Sequence, residues 1–329
     1  MHLPINISNK RVVIAPLCWG LGHATRCIPI IKHLLKHNNQ VAIASDGLAL
    51  QLLQQEFPEL KTWLLPPYDV KYKYKSMITN MVMQGPKVIK AITAEAIMAD
   101  KIAAEWSANI IISDNRLKFR SSKTHNIYIT HQLNIYAGNM ISSAAATILH
   151  HKYYSKYDEI WVPDLQGAGA LAGDLSQRQV DIPTTFIGPL SRFNKDKSTV
   201  PSIDLLVILS GPEPQRTLLE HKLIAIISAK VVQNVTLVRG TNDKLSIEIP
   251  DTATIVNLAG SAELEKLLHK SKHVICRAGY TSIMDLVALE KKATLIPTPG
   301  QTEQEYLAKL LDGKHGFNCI AQSEVSTLF

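Results

Sequence analysis

The chain is poor in the features that mark a stapled, metal-built or membrane-spanning protein. Its four cysteines, Cys18, Cys27, Cys276 and Cys319, form no C-x-x-C pair and have no nearby Cys/His partner at zinc-ligand spacing. Neither a disulfide framework nor a zinc site is indicated, and a reducing cytoplasm is the expected home. No run reaches the roughly 20 apolar residues of a membrane-spanning helix. The longest stretch free of Asp, Glu, Lys and Arg, Thr124 to His151, carries four histidines with Asn, Gln and Ser, and reads as a buried or interdomain segment. The apolar run Val12 to Trp19 is short for a secretory signal and is interrupted by Pro16. Internal repeats and low-complexity tracts are also missing, which excludes solenoids and disordered tails.

What is present is an ordinary globular composition: 329 residues, 46% hydrophobic and 19% charged, with 35 Lys and Arg against 28 Asp and Glu for a net charge of +7. At roughly 100–200 residues per domain, that length argues for two domains. The basic excess is local, because residues 61–123 alone hold 11 basic and 5 acidic groups.

Short β-branched runs alternate with helical patterns along both halves, which is the rhythm of parallel α/β sheets. In the first half, strands are expected at Arg11 to Leu17, Gln40 to Ser45, Asn109 to Ser113, Asn126 to Thr130, Glu159 to Val162 and Thr185 to Ile187. Helices are expected at Gly22 to Asn38, Ser76 to Ala108 and Gly138 to His150. A polar, aperiodic stretch follows Gly188-Pro189, so the expected division is a first Rossmann-like domain over 1–190, a linker over 191–202 and a second Rossmann-like domain over 203–329. In the second half the strands are Ile203 to Leu209, Asn234 to Val238, Thr254 to Asn257, His273 to Cys276 and Thr294 to Pro297. Its helices are Pro214 to Lys230, Ala262 to His269, Thr281 to Leu289 and Glu303 to Leu311. Two such domains in tandem are expected to face an interdomain cleft, with ligands at the carboxyl ends of the strands.

Four strand-end motifs carry chemistry. The first is Trp19-Gly20-Leu21-Gly22-His23-Ala24-Thr25-Arg26, where two glycines permit a tight turn into a helix and His23 and Arg26 follow. The third glycine of a dinucleotide fingerprint is replaced, which disfavours a Rossmann NAD site; the competing structural reading is a plain strand-to-helix turn. The second is Cys276 to Leu286, in which the amides of Tyr280, Thr281 and Ser282 after Gly279 would suit a phosphate, and Asp285 a ribose diol. Thr281 and Ser282 could equally be helix caps. The third is Ser210-Gly211-Pro212-Glu213-Pro214-Gln215-Arg216, and the fourth is Pro297 to Glu305, whose acids and amides could bond sugar hydroxyls.

These motifs resemble those of the two-domain glycosyltransferases of the GT-B fold, nearest to the branch of the peptidoglycan UDP-N-acetylglucosamine transferase and the diglyceride galactosyltransferases, with a family 28 type C-terminal domain. The family pattern S-R-A-G-x-S-T-x-x-E-L is matched with Cys276 for Ser and Asp285 for Glu, and Ser210-Gly211-Pro212-Glu213 stands where that branch has a Gly-Gly-Ser run. The resemblance implies an inverting, metal-independent transfer of a hexosyl or N-acetylhexosaminyl group from a UDP-linked or other nucleotide sugar, and the absence of any D-x-D fits it. No cofactor is implied. Leu258 and Gly260 would sit against the base, Asp285 on the ribose, the Gly279 to Ser282 turn on the diphosphate and Gln304 on the sugar. Ser210 and Gly211 would lie beside the donor, and Arg216, Arg239 and Arg277 are candidate phosphate cations.

On the acceptor side, with Gly20, Gly22 and Arg26, His23 is the candidate general base because a histidine titrates near neutral pH. Asp114 is its orienting group or substitute, and His131 a further strand-end candidate. The Tyr68 to Lys75 segment, with Lys71, Lys73 and Lys75 interleaved with tyrosines before Met77, Ile78 and Met81, suits either an anionic membrane surface or a solvated edge strand. Nucleic acid is not expected. The acceptor implied by the resemblance is a lipid-linked or cell-envelope glycan, reached from the cytoplasmic face of the membrane. A nucleotide-sugar hydrolase or epimerase would use the same architecture. The last helix that such folds send back to the first domain is expected to be short or missing.

Overall fold

The structure, a computed structural model, describes residues 3–68, 77–196, 198–229, 232–244 and 253–328, without the side chains of 77–84 and 86. Lys71, Lys73 and Lys75 lie outside the described residues. The chain divides into two compact units, Met1–Leu190 and Ser191–Phe329.

In the first unit the order is β1 (Arg11–Pro16), α1 (Gly22–Lys36), β2 (Gln40–Ser45), α2 (Gly47–Glu56), β3 (Thr62–Leu64), α3 (Met77–Trp106), β4 (Ile110–Asp114), β5 (His125–Ile129), α4 (Met140–Tyr154), β6 (Glu159–Val162) and β7 (Thr184–Phe186). They form one parallel sheet, β3-β2-β1-β4-β5-β6-β7. The central strands are apolar on both faces, as a sheet covered on both sides requires. Val12, Val13 and Ile14 of β1 are wholly buried, and each such side chain stabilises the fold by roughly 1.5–3 kcal/mol. Helix α1 buries Ala24, Cys27, Ile28, Ile31 and Leu34, the three-and-four spacing of one helical face. The connection from β4 to β5, residues 115–124, contains no helix; Phe119 drops into the core beside Ala99, Ile102 and Ala103 of α3 in its place.

The second unit runs β8 (Ile203–Ile208), α5 (Gln215–Ala229), β9 (Val235–Val238), β10 (Ala253–Val256), α6 (Ser261–Lys270), β11 (Ser271–Cys276), α7 (Tyr280–Ala288), β12 (Ala293–Leu295), α8 (Thr302–Leu311) and β13 (Phe317–Cys319). Its parallel sheet has the order β10-β9-β8-β11-β12-β13. Leu219, Leu223 and Ile227 of α5 close its core against Leu205, Val207 and Leu237.

Every strand and helix expected from the sequence forms, with ends displaced by a few residues. Three further elements had no periodic signal. Helix α2 is short and carries Gln51, Gln54 and Gln55, while β3 and β13 are three-residue edge strands. The stretch after Leu190, read as the start of a linker, is anchored in the second unit. Ser191 donates to Asp285 (2.6 Å), Arg192 to Ser261 (3.0 Å), and Phe193 is buried.

Candidate active site

In the first unit three strand ends and one helix start converge. Asp114 ends β4, in register with Pro16, and its carbonyl accepts from Leu17 N (2.9 Å). Gly20 then turns the chain at φ +77°, a left-handed conformation that an L side chain resists. The Pro16 carbonyl before this turn is fixed by Ser45 Oγ (2.8 Å) and Arg116 Nε (3.0 Å). Arg116 is in turn held by Glu95 (2.7 Å) and Asp46, and Tyr68 donates to Glu95 (2.8 Å). The turn thus leads into the first residues of α1 from a rigid, fully paired base.

His23 Nδ1 lies 2.9 Å from Asp114 Oδ1, and Arg26 grips the same carboxylate through Nε (2.6 Å to Oδ2) and through Nη2. Asp114 is wholly buried and Arg26 nearly so, whereas the His23 side chain keeps 15% exposure. Burial opposes ionisation of Asp114, but Arg26 and His23 outweigh it and hold the carboxyl below the usual carboxylate range. An ionised carboxylate only accepts, so His23 Nδ1 carries the proton and donates. Arg26 Nη2 is also 2.9 Å from that nitrogen, a donor-to-donor approach that the shared carboxylate holds in place. Nε2 is then the unprotonated nitrogen, and among the described residues it has no hydrogen-bond partner. Burial, helped by Arg26 and opposed by Asp114, lowers the His23 pKa from 6.5, so the ring is a neutral base at physiological pH. His131 is buried, and its Nδ1 lies 3.3 Å from Arg26 Nη1. It braces the arginine. Cys27, 3.6 Å from Asp114 through Sγ, carried no signal in the sequence beyond its place on the buried face of α1.

In the second unit the motifs also lie at strand ends, but several side chains serve the protein itself. Arg216 and Arg239, read from the sequence as phosphate cations, are instead ion-paired with Glu220 (3.2 and 2.6 Å), and Arg216 also with Glu213 (2.5 Å). The i,i+4 spacing of Arg216 and Glu220 could have signalled this. Asp285, placed on the ribose by resemblance, is buried and bonded to Ser191; burial pushes its carboxyl up to about 6. It therefore ties α7 to the segment after Leu190. Tyr280, read from the sequence for its amide, has a buried side chain.

Arg277 is different. It is buried and donates to the carbonyls of Gln215 (2.7 Å), Pro297 (3.2 Å) and Ile296 (3.4 Å), with no carboxylate partner, and its Nε has no partner among the described residues. Burial lowers its pKa to about 10. The nearby Thr298 Oγ1 is likewise buried without a partner among the described residues, and Gln304 Oε1 accepts from Thr298 N (2.8 Å). Gly211 has φ +104° and Ser210 and Gly211 are exposed; Gly279 caps α7, with Thr281 and Ser282 half-buried in its first turn. Leu258 is 51% exposed, an apolar surface at the end of β10, and Gly260 caps α6, where an added Cβ would meet nothing within 4 Å. Unpaired buried polar atoms at strand ends are positions that a polar ligand would satisfy. Among the described residues no group of three His, Cys, Asp or Glu could hold a metal ion, and no helix is long and apolar enough to cross a membrane.

Comparison with known proteins agrees with this arrangement. Residues 215–328 match the glycosyltransferase family 28 C-terminal domain. An uncharacterized glycosyltransferase of Methanosarcina acetivorans is 22% identical, over 89% of this chain and 79% of that protein. The kitacinnamycin glycotransferase superposes with a TM-score of 0.65 at 13% identity, over 95% of this chain and 87% of its own. The spinosyn rhamnosyltransferase SpnG, solved with thymidine diphosphate, gives 0.63 at 15% identity, over 97% and 88%. MurG of Acinetobacter baumannii gives 0.58 at 12%, over 95% and 86%. The chain has the two-domain GT-B fold of these glycosyltransferases, and its second unit matches the glycosyltransferase family 28 C-terminal domain.

Proposed function

We propose that the protein moves a hexosyl or N-acetylhexosaminyl group from a nucleotide sugar, UDP-linked, to a hydroxyl of a lipid-linked or cell-envelope glycan, with inversion and without a metal ion. The observation that carries the reading is the His23 and Asp114 pair, with Nε2 left open on a ring that is neutral at physiological pH.

His23 Nε2 takes the acceptor hydroxyl proton as that oxygen bonds to the anomeric carbon. The bond from that carbon to the diphosphate oxygen breaks with its electron pair going to the leaving group. Asp114 keeps Nδ1 protonated and offsets the imidazolium charge that forms. The departing diphosphate is met by Arg277 and by the positive end of α7 after Gly279. The Gln304 amide donates to a sugar hydroxyl, and Leu258 gives the base an apolar wall. Support for a nucleotide donor comes from the family 28 domain and from SpnG, which was solved with thymidine diphosphate.

A thermal-shift panel of UDP- and TDP-sugars, with and without EDTA, would identify base, sugar and metal requirement together. Nucleotide release from the stabilising donor should be slow alone and accelerate with acceptor, and the product linkage should have the opposite anomeric configuration. Rapid release in buffer alone would assign the site to hydrolysis instead.

A further inference from the structure

The turn that carries His23 also carries a buried arginine to which the transfer step gives no task. His23 and Arg26 lie three residues apart in the first turn of α1, so their side chains leave the helix on one side. From the sequence Arg26 is expected on the acceptor side of the site. The structure buries its side chain to 2% exposure, behind the base rather than beside a substrate.

Its guanidinium is spent inside the protein. Nε donates to Asp114 Oδ2 (2.6 Å), Nη2 donates to Asp114 Oδ1, and Nη1 lies 3.3 Å from His131 Nδ1. Oδ1 is also the oxygen that accepts from His23 Nδ1 (2.9 Å). One carboxylate oxygen therefore serves an imidazole and a guanidinium at once, and Nη2 and Nδ1 stand 2.9 Å apart.

We propose that Arg26 is a positioning residue that sets the strength of the His23 base: by taking up most of the Asp114 charge in a bidentate pair, it leaves the carboxylate to orient the ring without making the ring strongly basic. This role presupposes that His23 is the base. A histidine beside an unshared carboxylate is stabilised as imidazolium and keeps its proton to higher pH. Here each proton taken at Nε2 sets an imidazolium against the guanidinium and against the positive end of α1. The charged and titratable groups facing His23 are Asp114 from β4, Arg26 from its own helix and His131 from the loop after β5. Burial lowers the His23 pKa most, Asp114 opposes it, and Arg26 and His131 lower it further. Cys27 Sγ, 3.6 Å from Asp114 Oδ2, faces the carboxylate instead, and burial keeps that thiol protonated. The consequence is a base that resets. An imidazolium so disfavoured returns the acceptor's proton to water through the 15% of His23 that is exposed, and the ring is ready for the next turnover.

The test follows the ring directly. Heteronuclear NMR of the full chain labelled at its histidines, with the His23 Cε1–H signal assigned by its loss in His23→Ala, reads the titration without substrate. The acid limb of kcat/KM reads the reaction. Arg26→Gln should raise the His23 titration by about one pH unit or more, Asp114→Asn should lower it, and the double variant should titrate between the two. Arg26→Gln alone strips a buried carboxylate of its partner and can fail to fold, so two other variants carry the comparison independently. The double variant removes both charges of the pair together and should titrate above Asp114→Asn. Arg26→Lys keeps the charge and should leave the titration close to the parent's while lowering kcat, because an ammonium cannot bond both oxygens as a fork does. A double variant that titrates with Asp114→Asn, or an Arg26→Gln ring that titrates at or below the parent's, would overturn the proposal and make the arginine a strut. A ring that shifts as expected while the acid limb of kcat/KM stays in place would uphold the effect of Arg26 on His23 and sink the base assignment instead.

Discussion

Truncating His23 to alanine separates chemistry from folding. The ring keeps 15% exposure and its hydrogen bond to the protein is the one to Asp114, so its loss costs the fold about 1–3 kcal/mol. The buried Arg26 and Asp114 pair survives. A positioned general base is worth about 10²–10⁴ in rate, or roughly 3–5 kcal/mol on the barrier. His23→Ala should therefore lower kcat by that factor while donor affinity, measured by calorimetry, stays within about threefold, since the donor site proposed for the second unit does not include the ring. Asp114→Asn has a different signature. It leaves Arg26, 2% exposed, facing a neutral amide, at about 3–5 kcal/mol for a broken buried pair, and it loses the charge that fixes the His23 tautomer. The double variant should be no slower than the slower single one, because the two residues act as one unit. The pH profile adds a sign. His23 is depressed below 6.5, so kcat/KM should be flat above that value and fall in acid as Nε2 is protonated. The Asp114 charge raises the His23 pKa, so in Asp114→Asn the acid limb moves to still lower pH. An alanine variant within tenfold of the parent rate at pH 7.5, or one that loses the donor, would refute the base assignment.

His150 is half-buried, with Nδ1 on the Gln132 carbonyl (3.1 Å) and Nε2 at the Tyr128 hydroxyl (3.0 Å), and desolvation lowers its pKa to about 4. Its stabilising contribution is therefore present above the unfolded value near 6.5 and lost as pH falls toward 4, by about 3 kcal/mol at about 1.4 kcal/mol per pKa unit; denaturant melts from pH 7 to 4.5 should show the loss, and His150→Gln should flatten it. Asp285 has the opposite sign: its pKa is raised to about 6, so the penalty appears as pH rises through 6. Asp285→Asn should raise Tm at pH 8, change it little at pH 4 and leave donor binding intact, whereas loss of donor binding would restore the ribose role. Arg277→Lys should weaken UDP binding roughly 10- to 100-fold, the worth of one or two charge-assisted hydrogen bonds, and leave uridine binding unchanged; equal loss for both would make the arginine a strut alone.

The fold was largely legible because a parallel sheet writes itself in uninterrupted apolar runs. Arg11 to Pro16, Gln40 to Ser45 and Ile110 to Asp114 are buried almost throughout, a pattern that none of the described helices has. The elements without a signal are those whose order comes from neighbours: β3 is paired only at its inner edge, β13 is three residues long, and α2 presents glutamines on its solvent side. The first-unit site was legible in its parts for a related reason. Glycine at φ +77° followed by histidine and arginine is a local statement, and so is an aspartate at the end of an apolar strand.

Which cation stays available to a ligand is, by contrast, decided by distant partners. Arg216, Arg239 and Arg277 look alike in sequence, each near a strand end and each near polar neighbours. Glu220 on α5 reaches two of them at once, spanning one helical turn to Arg216 and the end of β9 to Arg239. Arg277 faces only carbonyls, which satisfy its N–H groups without cancelling its charge. The distinction is electrostatic rather than geometric. A guanidinium already paired in a buried site gains little from a phosphate, because the anion would have to compete with a desolvated carboxylate and would add like charge beside it. One whose neighbours are dipoles keeps most of its unit charge for the ligand. On that ground the proposed phosphate contact is assigned to Arg277 rather than to Arg216 or Arg239. Neutralising Glu220 with Glu220→Gln should then destabilise the fold by several kcal/mol, since it strips the shared carboxylate from two buried arginines, and should leave diphosphate affinity within a few-fold of the parent.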